Sequence, residues 1–132
     1  MPSVFSRIIS GELPGHIIAE DENYIAFLDV NPLAEGHTLV IPKEEIDKIF
    51  AIENELYSGL FLFAKKIAIA IEHAIPCKRV GMAVIGLEVP HAHVHLVPLQ
   101  TMSDINFERH KMKVNKVELA AVCERIKAKL DN

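Results

Sequence analysis

Histidine occupies every second position of His91-Ala92-His93-Val94-His95, and the residues between and after, Ala92, Val94, Leu96 and Val97, are apolar. A period of two is that of an extended strand, whose successive side chains point to opposite faces. The pattern predicts a strand from His91 to Val97, ended by Pro98, with three imidazoles on one face and Ala92, Val94 and Leu96 on a buried one. Imidazoles sharing a face stand roughly 6.5–7 Å apart along the strand, near enough to be bridged by a hydrogen bond, a carbonyl, a phosphate or a metal. Such a row is costly, because neighbouring rings oppose each other's protonation and each buried N–H needs an acceptor.

The flanking sequence supplies the sheet this strand requires. Val4, Phe5, Ile8 and Ile9 predict a short helix ending at Gly11, and Ile17-Ile18-Ala19 and Tyr24 to Asp29 read as a hairpin turning at Glu20-Asp21-Glu22-Asn23. The Pro- and Gly-containing loop Val30 to Gly36 delivers His37 to a further strand, His37 to Ile41, stopped by Pro42. Leu56, Leu60, Phe63, Ile67, Ile71 and Ile75 recur at helical spacing until Pro76. Arg79 to Ile85 predicts a strand, Gly86 to Pro90 a connector, and Val117, Leu119, Ala120, Val122, Cys123, Ile126 and Leu130 a terminal helix over 117–130. Residues 101–115 read as irregular. About five strands and two substantial helices, not strictly alternating, make an α+β fold with a mainly antiparallel sheet.

At 132 residues, half of them apolar, the chain suits one domain spanning 1–132. Fourteen basic against eighteen acidic residues, a net charge of −4 with no long block of either sign, argue against duplex nucleic acid as a partner but not against a small anion held by local donors. Cys77 and Cys123 fit neither a metal motif nor a disulfide framework and read as reduced thiols of a cytoplasmic protein. The first residues lack the pattern of a secretion signal, and the most apolar segment, Leu60 to Ile75, carries Lys65, Lys66, Glu72 and His73, so no membrane span is expected.

His16, His73 and His110 read as ordinary solvated or satisfied side chains. The row of three has two chemical readings: ligands for a divalent metal, or a nucleophilic imidazole oriented through its second nitrogen and flanked by proton-sharing partners. Spacing alone does not choose between them. No Asp, Glu or Cys lies within the row to complete a ligand set, although Glu88 or His37 could approach in space, and the metal reading ranks last.

His91-Ala92-His93-Val94-His95-Leu96-Val97 resembles the His-φ-His-φ-His-φ-φ motif of the histidine triad family. The segments Val4 to Pro14, Ala26 to Pro32 and Gly36 to Lys43 are similar to the N-terminal half of that family, so the resemblance covers most of residues 3–99. It implies a HIT-like fold, a homodimer whose two sheets join, a purine nucleotide as ligand, and no cofactor. The implied chemistry is a phosphoramidase-like hydrolysis at the α-phosphate. His93 would attack to give a nucleotidyl-histidine that water resolves, with His95, His91 and His37 positioning it and sharing protons. Asp29 matches the family's ribose-binding acid, and Phe5, Ile8, Phe27, Val30 and Leu39 match positions lining the base pocket. From the residues alone, Asp29 is equally a turn acceptor, and each apolar one taken singly reads better as core.

The segment Met82 to Pro90 departs from this pattern. Ile85 stands where the family places an asparagine, and Leu87-Glu88 where it places a glutamine and a hydroxyl residue, groups that would contact the phosphate and assist the leaving group. Losing such donors weakens transition-state stabilisation. It also motivates an alternative reading, a nucleotide-binding module with little catalysis.

Overall fold

The computed structural model describes residues 2–130. Helix α1 (Val4–Ile9) starts at Ser3, whose hydroxyl accepts the Ser6 N–H, and strands β1 (Ile17–Glu20) and β2 (Tyr24–Leu28) form the expected hairpin. Its turn is fixed by the Asp21 carboxylate, which accepts the N–H groups of Asn23 and Tyr24 at 2.8 and 2.9 Å. Strand β3 (Thr38–Pro42) follows, then helix α2 (Asn54–Ala74), strands β4 (Arg79–Ala83) and β5 (Val94–Leu99), and helix α3 (Lys116–Lys127). α2 is capped by the Glu53 carboxylate and α3 by a reciprocal Asn115/Glu118 box.

The five strands form one sheet in the order β1-β2-β3-β5-β4, with every neighbouring pair antiparallel. Ala26, Leu28, Val40, Val94 and Leu96 project from one face into a core closed by Leu60, Ala64, Ile67 and Ile71 of α2 and by Leu119, Val122 and Ile126 of α3. On the other face Ile25, Phe27, Leu39 and Ile41 pack with Phe5 of α1. β2 and β3 are thus buried on both sides, and this second, smaller cluster forms the floor of the site described below.

Several boundaries differ from the sequence reading. β5 begins at Val94, not His91, because β3 pairs with it only over Val94 to Leu96; His91 and His93 keep the alternation but precede the ladder. Pro98 lies within β5 and does not end it. Beyond Leu96 only β4 flanks the strand, and a proline is tolerated where one side is free. β4 stops at Ala83, its last residue with a β5 partner, and α1 stops at Ile9. β3 starts one residue after His37 and runs through Pro42. In α3, Val117 and Ala120 face solvent, so the buried stripe is Leu119, Val122, Cys123 and Ile126. The irregular segment contains one 3-10 turn, Met102–Ile105, and is otherwise coil.

Gly59 tests the packing of α2 on β2. A glycine in mid-helix ordinarily costs about 0.5–1 kcal/mol relative to alanine. Here, however, a Cβ would fall on the hydroxyl of buried Tyr24, which donates to the Leu56 carbonyl at 3.0 Å. Gly59→Ala is therefore expected to destabilise the protein, by about 1–3 kcal/mol in urea unfolding; stabilisation would show that Tyr24 yields without loss.

Candidate active site

Gly36, at φ 93°, makes the turn that brings His37 to the head of β3, a backbone angle that suits glycine. β5 carries His95 alongside β3, where Leu39 pairs with it, and the segment leading into β5 presents His93 and His91. All four rings are buried, His37 and His91 almost completely.

Their hydrogen bonds determine where each proton sits. The Leu33 N–H donates to His37 Nδ1 at 3.0 Å, so the neutral ring carries its hydrogen on Nε2. That nitrogen lies 3.0 Å from His95 Nδ1 and donates to it, which leaves the His95 hydrogen on Nε2. His93 Nδ1 lies 2.7 Å from the His91 carbonyl and must donate to it, so its Nε2 carries an unshared pair. His91 Nε2 donates to the Pro42 carbonyl at 2.8 Å, and its Nδ1 accepts the Ser3 hydroxyl at 2.9 Å. Burial supports the neutral forms of His37, His95 and His91. It lowers the pKa of His37 to about 4 and that of His95 to about 3, with the charge of Lys111 adding to the effect on both. Burial also lowers that of His91.

A cavity of about 350 Å³ opens in front of this row. Phe5, Ile8, Phe27, Asp29, Val30 and Leu39 line it, together with His93 and His95, so all six substrate-binding candidates meet at one place. Phe5 stands edge-on to His93 and to Phe27, with centroids 5.0 and 5.4 Å apart. Phe5, Phe27 and Leu39 are both wall and core, which joins the two roles that sequence left open. Asp29 is likewise double: Oδ1 accepts the Asn31 N–H at 2.8 Å as a turn acceptor, while Oδ2 lies 3.7 Å from His37 Nε2. Its burial raises its pKa, chiefly by desolvation. His37 and His91 do not line this cavity; they stand behind His95 and His93 as supports.

Asp29, His37 and His95 also offer ligand atoms within 4.8 Å of one another, a set a divalent cation could use by displacing the His37–His95 hydrogen bond. Sequence spacing did not reveal it, because the acid comes from the end of β2. Glu88 does not join this group; it faces Lys111, at 3.7 Å.

Two further groups of residues escaped the sequence reading. Glu45 accepts the Ser3 N–H and the Ser6 hydroxyl, both at 2.6 Å, and these bonds lower its pKa. Ser3 in turn accepts the Ser6 N–H at 3.0 Å and donates to His91. This cluster ties the start of α1 to the first histidine. Ser3→Ala removes a helix cap and leaves a buried ring nitrogen without its donor, so urea unfolding should show a loss of about 1–3 kcal/mol; an unchanged midpoint would mean that Ser6, 3.4 Å from the same nitrogen, takes over. The second group comes from the coil before α3, where Phe107 packs on His95 with centroids 4.5 Å apart and Lys111 enters the cavity wall. Ser3 carried a helix-cap signal; nothing local marked Glu45, Phe107 or Lys111.

Residues 10–102 match the HIT domain family. The chain belongs to that family. An uncharacterized HIT-like protein of Borreliella burgdorferi is 34% identical over 113 residues, covering 80% of this chain and 81% of the relative. Among solved structures, a HIT-like protein of Bartonella henselae, described as involved in cell-cycle regulation, superposes with a TM-score of 0.85 at 26% identity, covering 97% of this chain and 96% of that one. A HIT family hydrolase from Legionella pneumophila gives 0.67 at 32% identity, covering 76% and 96%. The five-stranded antiparallel sheet with its flanking helices is the HIT-like α+β fold.

Proposed function

We propose that this HIT protein hydrolyses a purine nucleoside phosphoramidate or a related nucleotide conjugate through a covalent nucleotidyl intermediate on His93. The observation that carries the reading is the proton arrangement: His93 is the cavity-lining imidazole whose Nε2 bears a lone pair, held there by donation from Nδ1 to the His91 carbonyl. In the first step Nε2 bonds to the α-phosphorus. The bond to the leaving nitrogen breaks with its electron pair, and that nitrogen takes a proton from water. The ring becomes cationic but keeps Nδ1–H on the carbonyl, which stabilises it. In the second step water adds to phosphorus, the P–N bond returns its pair to His93, and the water's proton passes to solvent. His95 Nε2–H, fixed by the chain from Leu33 through His37, donates a hydrogen bond to a phosphoryl oxygen. Phe5, Phe27, Ile8, Val30 and Leu39 would enclose the base, and the free oxygen of Asp29 would accept from the ribose. The Legionella relative, described as a hydrolase, agrees with this class of activity.

A second reading, a nucleotide-binding module with little catalysis, is favoured by the segment before the triad. Ile85 and Leu87 are exposed apolar residues where phosphate donors would serve catalysis. Intact-mass analysis after rapid acid-free quenching with adenosine 5′-phosphoramidate separates the two. A nucleotidyl adduct on the unaltered protein supports catalysis; binding with neither adduct nor released nucleotide supports the module.

A homodimer of joined sheets is part of the same proposal, and β4 is an edge strand with one side free to pair. No helix among the described residues is long and apolar enough to cross a membrane. A cytoplasmic location is proposed on the two reduced cysteines.

A further inference from the structure

An anionic phosphate finds few positive charges in this cavity. Two carboxylates, Asp29 and Glu88, line it, and His37 and His95 are held neutral. The segment 85–90 offers no Asn, Gln, Ser or Thr side chain. Among the described residues lining the cavity, the one lysine or arginine is Lys111.

Its position is built by the strap that precedes α3. The Met112 N–H donates to the Pro32 carbonyl at 2.8 Å, and Arg109 Nη2 donates to the Leu33 carbonyl at 2.9 Å. Arg109 is itself held 3.6 Å from Asp104. The strap is thus fastened on either side of Lys111 to the loop that carries Asp29 and leads to His37. The ammonium lies 3.7 Å from Glu88 Oε1, longer than a direct charge-assisted hydrogen bond, and the Glu88 side chain is 76% exposed. A pair of this kind holds its partners weakly, and the flexible lysine stem can exchange one oxygen for another. The ammonium acts electrostatically on Asp29, His37 and His95, which places its field over the reacting centre.

We propose that Lys111 is the cation that receives the substrate's phosphate: on binding, its ammonium exchanges Glu88 for a phosphoryl oxygen, and the strap supplies the donor that segment 85–90 lacks. This rests on the nucleotide reading above and assigns its charge recognition to a residue outside the triad motif.

The test is titration calorimetry with AMP and with adenosine, which share a base and ribose but differ in the phosphate. Lys111→Gln should weaken AMP about ten-fold and leave adenosine unchanged, and Lys111→Arg should keep most of the AMP affinity. Glu88→Gln, which frees the ammonium, should tighten AMP. AMP affinity of the unaltered protein should fall as salt rises, with a shallower dependence in Lys111→Gln. Equal weakening of AMP and adenosine would make Lys111 a structural prop of the strap and overturn the proposal. So would unchanged AMP affinity in Lys111→Gln. An unaltered protein that binds neither compound would instead overturn the nucleotide reading itself.

Discussion

His93→Ala is expected to lower turnover of adenosine 5′-phosphoramidate by roughly 10⁴-fold or more, with the fold and nucleotide affinity largely kept. The magnitude follows from the absence of a substitute. His95 faces the cavity with a hydrogen on Nε2, and His37 has one nitrogen committed to the Leu33 N–H and the other to His95. His91 is fully buried with both nitrogens engaged. Removing the His93 ring forfeits one hydrogen bond to a carbonyl and edge contacts with Phe5 and His95, so the variant should still fold. His93→Gly adds a positive control, since free imidazole entering the vacated space should restore part of the turnover if a ring nitrogen is the nucleophile. Retained turnover in His93→Ala, in protein freed of host hydrolases, would sink the covalent reading.

Elements with strong periodicity were legible in the chain. α2 repeats apolar residues over many turns and sits against a sheet that needs such a face, and the β1–β2 hairpin carries its own turn chemistry in Asp21. The histidine row declared its alternation, yet its strand boundary did not follow, because a strand begins where a neighbour pairs with it and β3 reaches only to Val94. Side chains matching the family motif converge on the cavity, but sequence could not separate those that face it from those behind. That division arises from which nitrogen meets Leu33, Pro42 or Ser3, and the Pro42 and Ser3 contacts join segments distant in the chain. Lys111 and Phe107 lie in a stretch without period or motif, and they reach the site only because Arg109 and Met112 fasten the strap to the Pro32-Leu33 backbone.

The same buried histidines should make the protein acid-sensitive well above the usual carboxylate range. In the unfolded chain each takes a proton near pH 6.5, whereas in the folded protein His37 waits until about 4 and His95 until about 3. Between those limits the unfolded state binds more protons, so stability is fully present above 6.5 and is lost as pH falls toward the folded values. At pH 5 each ring contributes a loss of roughly 2 kcal/mol, about 4 together, a large part of the stability of an ordinary domain. His91, lowered in the same direction, adds to it. Asp29, whose pKa is raised, takes up its proton in the folded state first and offsets part of the loss. Urea unfolding at pH 7.5 and pH 5 should show this drop, and the double variant His37→Gln, His95→Gln should lose most of the difference between the two pH values, whatever its absolute stability. Equal stability at both pH values would mean that the unaltered protein protonates these rings without unfolding, and the hydrogen-bond chain from Leu33 to His95 would then have to reorganise in the acid-stable form.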